Sequence, residues 1–255
     1  MIDLHNHILP GLDDGPHTLE GSLALARAAV AAGVTTVVAT PHIDHVHEVQ
    51  PAAIPGAVLA LTDALAAEGI ELALEAGGEV ALTRLDELDV DDRQAVQLGE
   101  GPFLLLESPY ATTGLDFDSR VYQMRMQGQE LLLAHPERSP LFQREPARLA
   151  RLVDAGVLCS ISAGSITGEF GRRVRTFALK LLRDGLVHNV SSDAHDDRRR
   201  PPDIHARLQG AERAAPGLAA QAEWLTERVP AAILAGAALP SRPPDAIRRR
   251  RGRLF

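Results

Sequence analysis

The sequence predicts an α/β protein: a distorted seven-stranded (β/α) TIM-like barrel folded as a single domain. Short apolar runs alternate with helical stretches rich in Ala, Leu and Arg, the pattern of βα units around a parallel sheet. Seven such runs lie between residues 2 and 195, which suits a closed or nearly closed ring better than an open sheet. The first and last runs carry polar residues at equivalent places, and no linker, low-complexity segment or composition shift divides the 255 residues.

The first run is IDLHNHI from Ile2, followed by the turn LPGLDDG and a helix SLALARAAVAAG from Ser22. The second is TTVVATPH from Thr35; residues 43–56, with Pro51 and Pro55, read as a long loop. The third, fourth and fifth runs are IELALEAGGE from Ile70, PFLLLESP from Pro102 and ELLLAHPE from Glu130. The helix EPARLARLVDAG from Glu145 leads to the sixth run, VLCSISAG from Val157. The helix RRVRTFALKLLRDG from Arg172 leads to the seventh, LVHNVSSDAH from Leu186. Gly33, Gly69, Gly156 and Gly185 fall where helices should stop, because glycine accepts the left-handed conformation that ends a helix. Two further helices, 217–228 and 230–236, close a barrel of residues 1–240. Residues 241–255, ending RRRRGRLF, read as a solvated Arg-rich tail.

Composition narrows the function. A net charge of −8 argues against a nucleic-acid partner, which calls for a basic face. The single cysteine, Cys159, excludes an internal disulfide and a zinc ribbon, so a cytoplasmic location is expected. No apolar run is long enough for stable membrane insertion, and nothing specifies an oligomeric state.

The chemistry lies at the strand ends. Run one carries His5 and His7, with Asp14 in the turn after it; run two ends in His42, run three in Glu79, run four in Glu107 and run five in His135. Run seven ends in Asp193 and His195. In a parallel barrel all these ends meet on one face. Residues two apart in a strand share a side, which pairs His5 with His7 and Asp193 with His195. One such histidine alone would ordinarily be capped or solvent-facing. Five imidazoles and four carboxylates converging on one mouth need a compensating cation. A donor set of imidazole and carboxylate without thiolate suits Mn, Fe or Zn. Nine donors exceed one ion, so two or three divalent metal ions are expected, with a bridging carboxylate. Such clusters activate water and stabilise charge in hydrolysis, of phosphoesters above all. Arg138 and Arg200, close to the same face, offer forked guanidinium groups for phosphate, although Arg198 and Arg199 compete with Arg200 for that role.

Other residues are read as bystanders. His45 and His47 fall in the loop and are expected to be exposed; His17, His188 and His205 match no strand end. Cys159 lacks the arginine six residues on that a cysteine phosphatase needs, since Ser165 stands there, so it is assigned to the core. No G-x-S-x-G elbow supports a serine hydrolase.

The motifs DLHNHILPGLDDG, ATPH, GGEV, LLLESP, LAHPER, SAGSITGEFG and SSDAH, in this order, resemble the polymerase-and-histidinol-phosphatase (PHP) superfamily. Within it, LPGLDDG and SAGSITGEFG are similar to the bacterial capsule- and exopolysaccharide-type protein-tyrosine phosphatases. The resemblance implies a trinuclear, often manganese-dependent centre. In it His5, His7, Glu79 and Asp193 hold one ion, Asp14, His42 and His195 a second, and Glu79, Glu107 and His135 a third. It implies phosphate binding by Arg138 and Arg200, and phosphotyrosine on a bacterial tyrosine kinase controlling capsule or exopolysaccharide synthesis as substrate. Two positions depart from the pattern: Asn6 where members often have Cys, and Ile43–Val46 where a second His and a Gly-x-Tyr are typical. Alternatives are a small-molecule phosphatase of the same fold, acting on histidinol phosphate or nucleotides, and a non-catalytic metal-binding regulator. A metal hydrolase of C–N or C–O bonds is a further rival, which the arginine pair speaks against.

Overall fold

The computed structural model describes residues 1–111 and 116–244. Its strands are β1 (Ile2–Asn6), β2 (Thr36–Ala39), β3 (His42–Ile43), β4 (Ala73–Ala76) and β5 (Glu79–Val80), followed by β6 (Phe103–Glu107), β7 (Glu130–Ala134), β8 (Leu158–Ser162) and β9 (Asn189–Ser191). Every strand pair is parallel. The order is β1-β2-β4 in one sheet and β3-β5-β6-β7-β8-β9 in the other. The chain after β9 returns to β1: His7 N donates to Ala194 O and Asp193 N to His5 O, both at 2.9 Å. The strands are apolar on both faces, with Val37, Val38 and Leu131–Leu133 fully buried, as helix-covered parallel strands must be.

Two of the predicted runs are each broken into two strands, β2/β3 and β4/β5, for local reasons. Pro41 interrupts the second run because it has no N–H for the ladder. Gly77 and Gly78 interrupt the third. A Cβ on Gly77 would come within 2.8 Å of Val38 Cγ1, and one on Gly78 within 3.0 Å of Val96, so the chain bends where only glycine fits. Beyond the breaks His42 pairs in register with Glu79, which sets two of the predicted donors side by side.

The helices are α1 (Leu19–Ala31), α2 (Ile54–Ala67), α3 (Val90–Ala95), α4 (Phe117–Met126), α5 (Pro140–Arg144), α6 (Pro146–Asp154), α7 (Ala163–Thr167), α8 (Arg172–Arg183), α9 (Ile204–Ala211), α10 (Leu218–Glu223) and α11 (Val229–Leu234). The four expected stops hold for α1, α2, α6 and α8: Gly33, Gly69, Gly156 and Gly185 all have positive φ. After α1, Val34 N reaches back to Ala29 O and Gly33 N to Val30 O, the double bond of a Schellman cap, and the same pair follows α6 at Val157 and Gly156.

Residues 43–56 are less loop-like than expected. Pro51–Ala53 form a 3-10 turn and α2 starts at Ile54, because both prolines occupy first-turn positions where no N–H is needed. The predicted break before Pro230 is absent: a π-helical turn, Trp224–Arg228, joins α10 to α11 and absorbs the proline. Of the proposed tail, Arg242 packs its guanidinium over Trp224, 4.4 Å from the ring centre. Residues 245–255, including the RRRRGRLF end, lie outside the described residues. Among the described residues no helix is long and apolar enough to cross a membrane.

Candidate metal centre

All nine predicted donors meet at the carboxyl ends of the strands. Glu79, at the start of β5, is the hub. Its Oε1 lies 2.7 Å from His135 Nε2, and its Oε2 3.0 Å from His42 Nδ1, 3.2 Å from His5 Nε2 and 3.5 Å from His7 Nε2. Asp193 Oδ1 sits 3.6 Å from both His5 Nε2 and His7 Nε2. Asp14 Oδ1 lies 3.1 Å from His195 Nε2 and 3.6 Å from His42 Nε2. Four overlapping groups have donor atoms within 4.8 Å of one another and could each hold a metal ion: His5/His7/Asp193, His7/Asp14/His42/His195, His5/Glu79/His135 and His42/Glu79/Glu107. His5, His7, His42 and Glu79 each belong to two groups, so the donors form one connected cluster.

Backbone geometry aims several of these side chains. His135, directly after β7, and Asp193, two residues after β9, take positive φ, at 34° and 55°. Such a conformation is uncommon outside glycine, and it turns the chain at the sheet edge so that both side chains face inward.

The donor set fits a cation better than it fits itself. His7 Nδ1 donates to Asp13 Oδ2 at 2.6 Å, and His195 Nδ1 to the Asp193 carbonyl at 3.1 Å. Each bond fixes the tautomer that leaves Nε2 a lone pair directed into the cluster. There His7 Nε2 meets His5 Nε2 at 3.1 Å. His195 Nε2 and His42 Nδ1 are buried without a hydrogen-bond partner of adequate geometry. Ionisation pulls in opposite directions across the site. Burial, then the neighbouring His195, His42 and His5, drives the His7 imidazole well below its usual range. Burial disfavours the His42 imidazolium, yet the Glu79 carboxylate 3.0 Å away prevails and carries it up to about 10. Burial and the Glu79 charge push the Glu107 carboxyl up to about 7. A divalent cation replaces these conflicting protons with one charge that every donor can face.

Arg138 and Arg200 flank the cluster, and both reach Asp193 Oδ2, at 2.5 Å and 2.8 Å. Arg198 stays outside, its side chain 87% exposed, so the run of three arginines turns only Arg200 inward. The mouth is a cavity of about 190 Å³ lined by Asp14, His42, Glu107, Tyr110, Arg138 and Arg200 among others.

Asp13, next to the predicted donor Asp14, is the partner that orients His7, and it also accepts from His42 N at 3.0 Å; the need of a ligating histidine for a second partner is the signal that marks it. Other contributors were not foreseen. His47 is not exposed as expected: it stacks on His42 with ring centres 5.0 Å apart, while His45 is solvent-facing. Glu137, fully buried, accepts from Ser162 N at 3.0 Å and Ser165 Oγ at 2.6 Å, and so ties the HPER and SAGSITG motifs together beneath Arg138. Tyr110 accepts from Arg138 at 2.8 Å, and the Phe170 ring centre lies 4.5 Å from that guanidinium. Asn6 donates to Asp3 Oδ2 at 3.0 Å, outside the cluster. Cys159 is buried in β8, and burial raises its thiol, as suits a core residue.

Fold and site together define an α/β protein of parallel strands with a candidate metal centre at their carboxyl ends. The chain belongs to the family described as capsular polysaccharide synthesis, CpsB/CapC, whose model matches residues 1–223. It is 36% identical over 201 residues to the tyrosine-protein phosphatase YwqE of Bacillus subtilis (strain 168), covering 78% of this chain and 79% of that protein. It is 29% identical over 227 residues to the tyrosine-protein phosphatase CpsB of Streptococcus pneumoniae, covering 84% and 93%. A solved chain from the crystal structures of YwqE and CpsB, described as unique metal-dependent tyrosine phosphatases, matches with a TM-score of 0.85 at 32% identity, over 98% of this chain and 100% of that one. A β-aspartyl dipeptidase from Fervidobacterium islandicum AW-1, at 16% identity and a TM-score of 0.60, shares the fold alone.

Proposed function

We propose that this chain is a metal-dependent phosphoric monoester hydrolase acting on phosphotyrosine in proteins. The convergence of nine imidazole and carboxylate donors around Glu79 carries the reading, and the naming of the relatives YwqE and CpsB as tyrosine-protein phosphatases supports it. Within it, the nine strand segments are the seven positions of one distorted barrel, residues 1–240, and the site takes three divalent ions, manganese by preference. His5, His7, Glu79 and Asp193 serve one ion, Asp14, His42 and His195 a second, and Glu79, Glu107 and His135 a third. Such ions supply an activated water near neutral pH and positive charge for the phosphoryl oxygens.

The chain's own residues do the rest. Asp13 and the Asp193 carbonyl hold the His7 and His195 rings in the donor tautomer. Arg138 and Arg200 converge on Asp193 Oδ2 from the cavity wall, where their forks can take two phosphoryl oxygens and follow the charge into the transition state. A tyrosinate, with a pKa near ~10, leaves without a dedicated acid. The protein partner is a bacterial tyrosine kinase controlling capsule or exopolysaccharide synthesis, which places the enzyme in the cytoplasm.

The test is hydrolysis of a phosphotyrosyl peptide and of p-nitrophenyl phosphate by the isolated protein, with chelator and then with Mn²⁺ restored. Activity lost to chelator and regained with Mn²⁺ is expected. Failure to cleave either compound under any divalent metal overturns the reading.

A further inference from the structure

Aromatic residues make up only 4% of this chain, yet two of them pack near the guanidinium of Arg138. The Tyr110 ring centre lies 5.7 Å from Arg138 Cζ and the Phe170 centre 4.5 Å. Each ring also lines a cavity next to the mouth, into which the organic group of a substrate held by Arg138 could extend. The two cavities differ in room. Behind Phe170, the cleft lined by Glu169, Ser192 and Arg207 leaves no space even for a water-sized sphere. Beyond Tyr110 opens a pocket of about 410 Å³ lined by Leu82, Thr83, Pro109, Tyr110 and Phe117, which shares Glu107 and Tyr110 with the mouth. The mouth itself, at about 190 Å³, is lined almost wholly by charged and polar side chains.

From this geometry we infer that the pocket beyond Tyr110 is the subsite for the aryl group of an aryl phosphate, with Tyr110 as its specificity-determining wall. The inference rests on the phosphomonoesterase reading above. The dimensions suit it: an apolar cavity of about 150 Å³ is enough to bind benzene. The chemistry suits it too. Leu82, Pro109 and Phe117 supply apolar contact, and Tyr110, half exposed at 50%, presents a ring face at the junction of the two cavities. Its hydroxyl meanwhile accepts from Arg138 at 2.8 Å, so one side chain both sets the guanidinium and meets the ring of the substrate. An alkyl phosphate gains the arginines but not this wall.

Phenylphosphonate and methylphosphonate share the phosphoryl anion and differ in the aryl group. Their binding to the Mn²⁺-loaded full chain, measured by calorimetry, separates ring recognition from phosphate recognition and from turnover. The wild type is expected to prefer phenylphosphonate by about tenfold or more, the worth of a well-packed aromatic contact. Thr83→Trp, which fills the pocket from an exposed position, and Tyr110→Ala should each remove most of that preference while methylphosphonate affinity changes by less. Tyr110→Phe, which keeps the ring, should retain it. An equal loss of both phosphonates in Thr83→Trp and Tyr110→Ala, or no preference in the wild type, overturns the subsite and leaves the hydrolase reading intact. A wild type that prefers phenylphosphonate yet hydrolyses no phosphomonoester overturns the hydrolase reading instead.

Discussion

Two buried polar clusters share β1 and the chain after β9, and they are built on opposite principles. Asp3 is wholly buried, but Ser192 N at 2.9 Å, the Ser192 hydroxyl at 2.5 Å and Asn6 Nδ2 at 3.0 Å all donate to it. That cluster is closed by neutral donors and pins β1 to the segment after β9. A few residues on, His5, His7 and Asp193 are equally buried but face one another with lone pairs and negative charge. The first cluster sets donors against acceptors, whereas the second sets lone pairs against lone pairs, His5 Nε2 against His7 Nε2 with Asp193 Oδ1 beside both. Buried polar groups are tolerated only when partnered, so that arrangement, which a cation suits, is itself the mark of a site.

If the second cluster is a metal centre, its disruption should cost function and spare the fold. His7→Ala removes a donor shared by two ligand groups. It is expected to lower phosphatase turnover by about a thousandfold or more, roughly 4 kcal/mol in barrel-mouth chemistry, with unchanged far-UV circular dichroism and reduced metal content by elemental analysis. Retention of wild-type turnover would remove His7 from the centre. The first cluster should behave the other way round. Asp3→Ala strands the Ser192 and Asn6 donors and is expected to cost about 1–3 kcal/mol of stability for a buried group left unpaired, read in urea titrations, with metal content per folded chain unchanged. A variant that loses metal without losing stability would erase the contrast.

His188 sharpens the contrast by the smallest effect. It is a half-buried imidazole outside both clusters, whose Nδ1 accepts from Cys159 N at 3.2 Å. Burial, then the charge of Arg242, lowers it from 6.5 to about 4. Because the folded value is depressed, its contribution to stability is present above pH 6.5 and is lost as pH falls from 6.5 toward 4. His188→Asn, which offers an acceptor that does not titrate, is expected to flatten the melting-temperature profile across that window. An unaltered slope would show that His188 is not the group responsible.

Much of the site was legible in the sequence because strands obey a period of two and barrels gather strand ends. His5, His7, His42, Glu79, Glu107 and His135 follow from those rules alone. What escaped lies in turns and in side-chain packing. Asp14 stood among the predicted donors, but that the adjacent and chemically alike Asp13 orients His7 while Asp14 faces His195 is set by the path of the turn. Arg198, Arg199 and Arg200 could be separated only by the bend after Asp196, whose carboxylate accepts from the backbone N of Arg198 at 2.7 Å and also from that of Arg199. Tyr110 and Phe170 are far apart in the chain and meet only at Arg138. The splitting of two strands at Pro41 and at Gly77–Gly78 was written in residue types, but its consequence, the register of His42 with Glu79, is a matter of pairing.

By itself the sequence determined the order of strands and helices, the glycine stops and the chemical identity of the donors, since these depend on local conformational preference and on side-chain type. The tertiary structure alone decided which nitrogen faces which oxygen, which arginine turns inward and which cavity beside the mouth has room for a substrate. Those are distances between residues remote in sequence, and no local rule carries them.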